Sequence, residues 1–277
     1  MHLIEAILVA LVQGATELFP VSSLGHAVVL PALLDLSLDE RAPEFLPVLV
    51  LLHFGTAAAL LLYFWRDWWL LLLGALGLTE PHQRRESRRV ILLIVVATIP
   101  GVVLGFFLEK FFRGLFGAPL IAAGFLVVNA VMLAVGERIR TMGHRPLSAL
   151  TAMDAFVIGC FQCAALIPGI SRSGATIVGG LLRGVDHEGA AHFSFLIATP
   201  IILGATVLEV PKLLKAGVPP GVFSTAAIAA VVAGVTAWLA TWFLMRYFRR
   251  NDEMALNPFA AYCAVGGLGS IAWLLLR

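Results

Sequence analysis

Two short polar runs interrupt an otherwise apolar chain, and they hold the residues that can do chemistry. The first reads Gln13-Gly-Ala-Thr-Glu17-Leu-Phe-Pro20-Val-Ser22-Ser23-Leu-Gly25-His26. The second reads Gln162-Cys-Ala-Ala-Leu-Ile-Pro168-Gly169-Ile-Ser171-Arg172-Ser173-Gly174-Ala-Thr176. In each, a proline stops one short helix and the serines after it are placed to cap the next. A helix start offers free backbone N–H groups and the positive end of the helix dipole, a combination that binds phosphate. Arg172 adds a planar, permanently charged fork that matches phosphate oxygens.

The first run also supplies groups for catalysis. Gln13 and Glu17 lie four residues apart, so a helix projects both from one face. Glu17 is suited to act as a base or to hold a hard divalent cation, which prefers oxygen ligands. His26 titrates near neutrality and can attack phosphorus or move a proton. Ser22 or Ser23 can serve as a nucleophile if a base lies within reach. The structural alternatives are a mutual ion pair between Glu17 and Arg172, an inter-helix hydrogen bond from His26, and serines that only cap. Ionisable groups deep in a membrane segment cost ~2.5 kcal/mol or more, which favours a functional role for Glu17 and Arg172.

The surrounding chain determines what must position these groups. Of 277 residues, 60% are hydrophobic and only 13% charged, about half the charged share of an ordinary soluble domain. Six stretches, roughly 47–65, 90–107, 118–136, 192–210, 221–245 and 257–276, are apolar enough to span a bilayer. Two more, about 3–35 and 150–184, carry the polar runs near their middles. Strand alternation is not visible, which argues against an outer-membrane barrel. The N-terminus lacks the pattern of a removable signal peptide and is expected to belong to the mature fold.

If each broken segment enters and leaves on one side, the loop cations sort into two groups. One side receives Arg66, Arg84, Arg85, Arg88, Arg89, Arg138, Arg140, Arg145, Arg183, Arg246, Arg249 and Arg250, twelve in all. The other receives six, Arg41, Lys110, Arg113, Lys212, Lys215 and Arg277. The richer side is expected to be cytoplasmic, with the 79–89 and 137–149 loops inside and both termini and the 108–117 loop outside.

The expected fold is therefore an all-α integral membrane protein with six transmembrane helices and two re-entrant helical hairpins. Residues 1–277 form a single membrane domain whose halves, approximately 1–148 and 149–277, make an inverted-topology repeat. Its two broken segments should meet near the midplane. Cys160 and Cys163 form a C-x-x-C with no second Cys or His pair, and are read as small packing residues. Gly101 and Gly105 read as a packing face, the Trp65, Trp68 and Trp69 group as an interfacial anchor, and His53 as either packing or site-lining.

At the two polar runs the sequence resembles the undecaprenyl-diphosphate phosphatase family of bacterial membranes, the bacitracin-resistance type. Gln13, Glu17 and Pro20 to His26 match its first motif; Pro168 to Thr176 match its second without a gap. The resemblance spans essentially the whole chain. It implies hydrolysis of undecaprenyl diphosphate to undecaprenyl phosphate, recycling the lipid carrier for peptidoglycan synthesis. It further implies help from Mg²⁺ or Ca²⁺, a place in the bacterial inner membrane, and a site open to the extracytoplasmic side.

By matching position, Glu17, Ser23, His26 and Arg172 become the catalytic set, with Glu17 also the metal ligand. Gln13, Ser22, Gly25, Gly169, Ser171, Ser173, Gly174 and Thr176 become the substrate-binding set. The expected partners are a polyprenyl diphosphate lipid and the bilayer, with no nucleic acid; a homodimer stays open. Two departures stand out: His53 replaces a usual Gln, and Cys263 follows Tyr262 where an Arg is common. The rival reading is a transporter or flippase of polyprenyl phosphate lipids, since broken helices in inverted repeats also describe secondary transporters.

Overall fold

The computed structural model describes residues 3–34, 45–115, 118–140, 145–215 and 220–276. Side chains are not described at 45–48, 109–114, 208–215 and 220–222. Arg41 and Arg277 lie outside the described residues, as do the side chains of Lys110, Arg113, Lys212 and Lys215. Eleven α-helices and no strand occur among the described residues.

The first polar run separates α1 (Leu3–Thr16) from α2 (Ser23–Leu34), and the second separates α7 (Ala152–Cys163) from α8 (Arg172–Leu182). Between these pairs lie α3 (Phe45–Tyr63), α4 (Trp65–Ala75), α5 (Pro81–Leu115) and α6 (Pro119–Ile139). After α8 come α9 (His187–Lys215), α10 (Pro220–Arg250) and α11 (Asn257–Leu276). Five helices, α5, α6, α9, α10 and α11, are long and apolar enough to cross a membrane. The α3–α4 pair, bent by 75°, makes a sixth if it is read as one span.

The helices outrun the apolar windows from which spans were expected. α5 has 35 residues, about 52 Å at 1.5 Å per residue, against a hydrocarbon core of about 30 Å. The 79–89 stretch, expected as a loop, is helical from Pro81. Pro81 is pre-set for a helix start, and the Arg, Gln and Glu residues after it are good helix formers, so the helix extends past the apolar part. The expected 108–117 loop is helical to Leu115, and residues 116–117 lie outside the described set. The expected 137–149 loop begins only after α6 ends at Ile139, and residues 141–144 are likewise outside.

One end of the bundle is fastened by polar contacts that an apolar packing scheme does not require. Asp154 in the first turn of α7 accepts from Thr151 N–H at 2.8 Å, completing a capping box, and from Arg145 at 3.0 Å. It also pairs with Arg183, which terminates α8. His187 at the start of α9 places one ring nitrogen 2.8 Å from Asp252 and the other 2.9 Å from Glu137. Glu137 also accepts from Leu256 N–H at 2.9 Å and pairs with Arg140 at 3.1 Å. Arg89 donates to the Leu150 carbonyl, and Arg249 to Glu188. Arg89, Arg140, Arg145, Arg183 and Arg249 of the cation-rich group thus belong to one end of the molecule.

Candidate active site

Each half-helix after a polar run is capped in the same way. Ser22 Oγ accepts from Gly25 N–H at 3.1 Å, and Ser171 Oγ accepts from Gly174 N–H at 3.1 Å. These satisfy backbone donors that a helix start leaves orphaned. The two capped starts face each other. A Cβ built on Gly25 would lie 3.0 Å from the Cα of Gly169, and one on Gly174 would lie 3.2 Å from Pro20 Cβ. Ser173 donates to the Phe19 carbonyl at 3.0 Å, as does Ser171 at 3.3 Å.

Glu17, buried in the break between α1 and α2, is the centre of the constellation. Its Oε1 accepts from Arg172 Nη2 at 2.6 Å. Its Oε2 accepts from Ser23 Oγ at 2.5 Å and from the Gln13 amide at 3.0 Å. His53 of α3 approaches the same oxygen, with Nε2 at 3.7 Å. The other terminal guanidinium nitrogen of Arg172, Nη1, is buried without a hydrogen-bond partner among the described residues. A buried charged donor left unpaired is costly, and such a group favours an anionic ligand.

His26 is held from two directions. Its Nδ1 lies 2.6 Å from the Ser22 carbonyl, which only accepts, so Nδ1 carries the proton. In the neutral ring Nε2 then presents a lone pair to the Tyr262 hydroxyl, 2.7 Å away on α11. Ser22 makes this possible with a left-handed backbone, φ 70°. That conformation is uncommon for a residue with a side chain and is a form of strain met at functional sites.

The structure therefore gathers Gln13, Ser23 and Arg172 onto Glu17, and sets His26 one turn along α2 from Ser23. Ser22, Ser171 and Ser173 have hydroxyls engaged in capping or in fastening one run to the other. Thr176 lies a turn beyond, bonded to the Arg172 carbonyl at 2.8 Å and to Ser194 at 2.6 Å. Gly25, Gly169 and Gly174 line the close approach itself. The mutual ion pair of Glu17 and Arg172 does form, within a larger set of converging donors.

Asn129 and Tyr262, outside the expected set, and His53, for which site-lining was one of two readings, also lie at this site. Asn129, fully buried within α6, donates to the Pro20 carbonyl at 3.0 Å and accepts from Ser171 N–H at 2.9 Å. It thus bridges the two breaks, and it also reaches Cys263 Sγ at 3.3 Å. Its signal in the sequence is a lone amide in the middle of an apolar span, where a polar group needs a partner. His53 is site-lining rather than packing alone. Tyr262 carries no local signal, since an aromatic in an apolar helix is ordinary. The cysteines are free, and Cys163 Sγ donates to the Gly159 carbonyl within its own helix.

The comparisons with known proteins agree over nearly the whole chain. A family model described as bacitracin resistance protein BacA matches residues 6–269. An undecaprenyl-diphosphatase of Granulibacter bethesdensis is 64% identical, over 99% of this chain and 97% of that protein. One from Acidiphilium cryptum is 56% identical over 96% of each. One from Mycobacterium avium is 44% identical over 99% of this chain and 98% of that protein.

Proposed function

This chain belongs to the bacitracin resistance protein BacA family, and we propose that it hydrolyses undecaprenyl diphosphate to undecaprenyl phosphate and inorganic phosphate. The observation that carries the chemistry is the pairing of Ser23 Oγ with Glu17 Oε2 at 2.5 Å, beside an Arg172 whose Nη1 has no partner among the described residues. A hydroxyl donating to a buried carboxylate is the arrangement of a nucleophile and its base.

In the reaction Ser23 Oγ attacks the terminal phosphorus as its proton passes to Glu17. The anhydride P–O bond breaks and undecaprenyl phosphate leaves. Water then attacks the phosphoserine, the Ser23 Oγ–P bond breaks, and Glu17 returns its proton to Ser23 Oγ as phosphate is released. Protonating Glu17 removes the counter-charge from Arg172, whose guanidinium is then free to stabilise the phosphoryl oxygens as charge redistributes. His26, near Ser23 on the same face of α2, would activate the water or protonate the leaving oxygen through Nε2.

A divalent cation, Mg²⁺ or Ca²⁺, fits this donor set in one manner. Glu17 is the carboxylate of the site, and among the described residues no group of three or more His, Cys, Asp or Glu comes together as a metal cage. Magnesium commonly takes one or two carboxylates and completes its shell with substrate phosphates and water. Where Glu17 stays ionised instead of taking the Ser23 proton, it would hold such an ion, with the Gln13 amide beside it, and the ion would neutralise charge on the diphosphate.

The membrane arrangement we favour has six spans and two re-entrant hairpins, with the site open to the extracytoplasmic face of the inner membrane. Asp154 and Arg183 tie the start of α7 to the end of α8, which supports a segment that leaves on the side it entered. An inverted repeat is supported by the matching serine caps. It is also supported by Gly14 of α1 packing on the Ala233 carbonyl of α10, as Gly159 of α7 packs on the Ala97 carbonyl of α5. The twelve-to-six division of cations supports an inward-facing polar end.

The names of the relatives favour the hydrolase over a transporter. Purified protein given undecaprenyl diphosphate, with and without chelator, should release inorganic phosphate in a chelator-sensitive way. Lipid movement with no phosphate released would favour the flippase.

A further inference from the structure

We infer that Tyr262 is a positioning residue for His26, holding the imidazole in one orientation and one tautomer through its hydroxyl. The inference rests on His26 serving the reaction and adds a residue from the last helix to the site.

The geometry runs from the backbone outward. Ser22, at φ 70°, turns its carbonyl toward its own helix, where it accepts from His26 N–H at 3.2 Å and lies 2.6 Å from Nδ1. A carbonyl has no proton to give, so Nδ1–H is the donor, and in the neutral ring Nε2 has the lone pair. A single hydrogen bond at Nδ1 leaves the ring able to tilt about that contact. The second contact, from Tyr262 O–H to Nε2 at 2.7 Å, removes this freedom. The two rings are nearly parallel, 11° apart with centroids at 5.7 Å, so the hydroxyl contact holds the imidazole and the phenol in one mutual orientation.

The sources of the two contacts differ, and that gives the arrangement its use. Ser22 belongs to the same polar run as His26, whereas Tyr262 comes from α11 in the second half of the chain. Tyr262 is itself 52% exposed, so its ring is not fixed by burial in the core. Its neighbour Cys263 is buried, and receives a hydrogen bond from Asn129, the residue that bridges the two breaks. The orientation of His26 is thereby linked to the contact between the two halves. Tyr262 acts on the reaction through His26, keeping Nε2 aimed and proton-free until a substrate or water takes the place of the hydroxyl.

The test is Tyr262→Phe, which keeps the ring and removes only the donor, in full-length protein in detergent. Loss of one such hydrogen bond should lower kcat about fivefold to tenfold and leave KM within about twofold. Histidine ring ¹⁵N spectra, with the His26 signal assigned by its disappearance in His26→Gln, supply the second readout. The Nε2 resonance should move in Tyr262→Phe while the Nδ1–H pattern stays. A melting temperature matching the wild type shows that the variant is folded. An unchanged kcat with an unmoved Nε2 resonance overturns the inference, and so does a fall in kcat with no change at His26. Normal turnover in His26→Gln would instead remove His26 from the mechanism, while the ring spectra still report whether Tyr262 orients it.

Discussion

Asp154 and Arg183 join the first turn of α7 to the residue that ends α8, so the second broken segment is closed on itself by an ion pair. Asp154 is 1% exposed and also accepts from Thr151 and Arg145. Removing one partner of a buried pair leaves the other charge uncompensated, typically at 3–5 kcal/mol. Arg183 and Arg145 are partly exposed and recover solvent, so the expected loss for Asp154→Ala is nearer ~3 kcal/mol. A thermal melt in detergent checks this. A melting temperature unchanged from wild type would mean that the closure contributes little.

The same end of the molecule should face the cytoplasm. Single cysteines at Glu80 or Asn251, in a background lacking Cys160, Cys163 and Cys263, should resist a membrane-impermeant thiol reagent in intact cells. They should react once the membrane is opened. Labelling of either site from outside would reverse the proposed orientation.

Gly169 combines two constraints. Its φ of +104° suits glycine, and a Cβ there would fall 2.4 Å from the Ala122 carbonyl oxygen. Backbone strain and overpacking each cost of order 1–3 kcal/mol, so Gly169→Ala should sharply reduce folded yield. Gly124→Ala is the control, because nothing lies within 4 Å of its Cβ position. Equal yields from the two variants would show that the backbone approach between the breaks tolerates widening.

How much of this was legible in the sequence follows from how local each signal is. The serine caps, the Gln13–Glu17 spacing and the break after each first half-helix depend on neighbours within a few residues, and they could be read directly. The meeting of the two breaks was readable because each carried half of a set of residues suited in type to phosphate. Asn129 and Tyr262 act through partners far along the chain, and no spacing rule connects α6 or α11 to Glu17 or His26; for the same reason His53 on α3 could be read only as packing or site-lining. The bend at Phe64 was hidden for a related reason. Apolar residues continue from α3 into α4, so hydropathy does not change where direction does.

Asn129→Leu keeps the volume of the buried side chain and removes both polar atoms. The Pro20 carbonyl and Ser171 N–H would then lack their partner, each at about 1–3 kcal/mol. Because Ser171 caps the helix that begins with Arg172, turnover should fall along with stability. A variant that lost stability but kept full kcat would confine Asn129 to packing.

Asp252 gives a dependence on pH away from the membrane-embedded site. Burial opposes its ionised form, but hydrogen bonds from the His187 ring and backbone, with the nearby charges of His187 and Arg140, hold its pKa below the ordinary value. A lowered folded pKa stabilises the fold above the usual carboxylate pKa of about 4, and that gain fades as pH falls through the folded value. The melting-temperature difference between wild type and Asp252→Asn should therefore be full at neutral pH and shrink below about pH 4. A difference that stayed constant would assign the effect to shape rather than charge.

The last prediction separates the roles of Ser23, His26, Glu17 and Arg172. If Ser23 attacks phosphorus, Ser23→Ala should abolish turnover at any pH and metal concentration, because no other atom in the site forms that bond. His26→Ala should leave a small residual rate, since a positioned acid or base contributes roughly 10²–10⁴-fold. If the imidazole attacks instead, this ranking reverses, and a phosphohistidine should be trapped by an acid-free quench. The 2.5 Å contact of Ser23 with Glu17, set against an Nε2 already engaged by Tyr262, favours the serine. Glu17→Gln should be severe and should also shift the metal requirement, because it removes the charge and keeps an oxygen. Arg172→Lys retains a positive charge but loses the fork that reaches Glu17 with one nitrogen and leaves Nη1 without a partner among the described residues. It should lose most of its turnover, and near-normal kinetics would reduce Arg172 to a general electrostatic partner. Substantial activity in Ser23→Ala would eliminate the serine nucleophile and leave attack by His26 or directly by water.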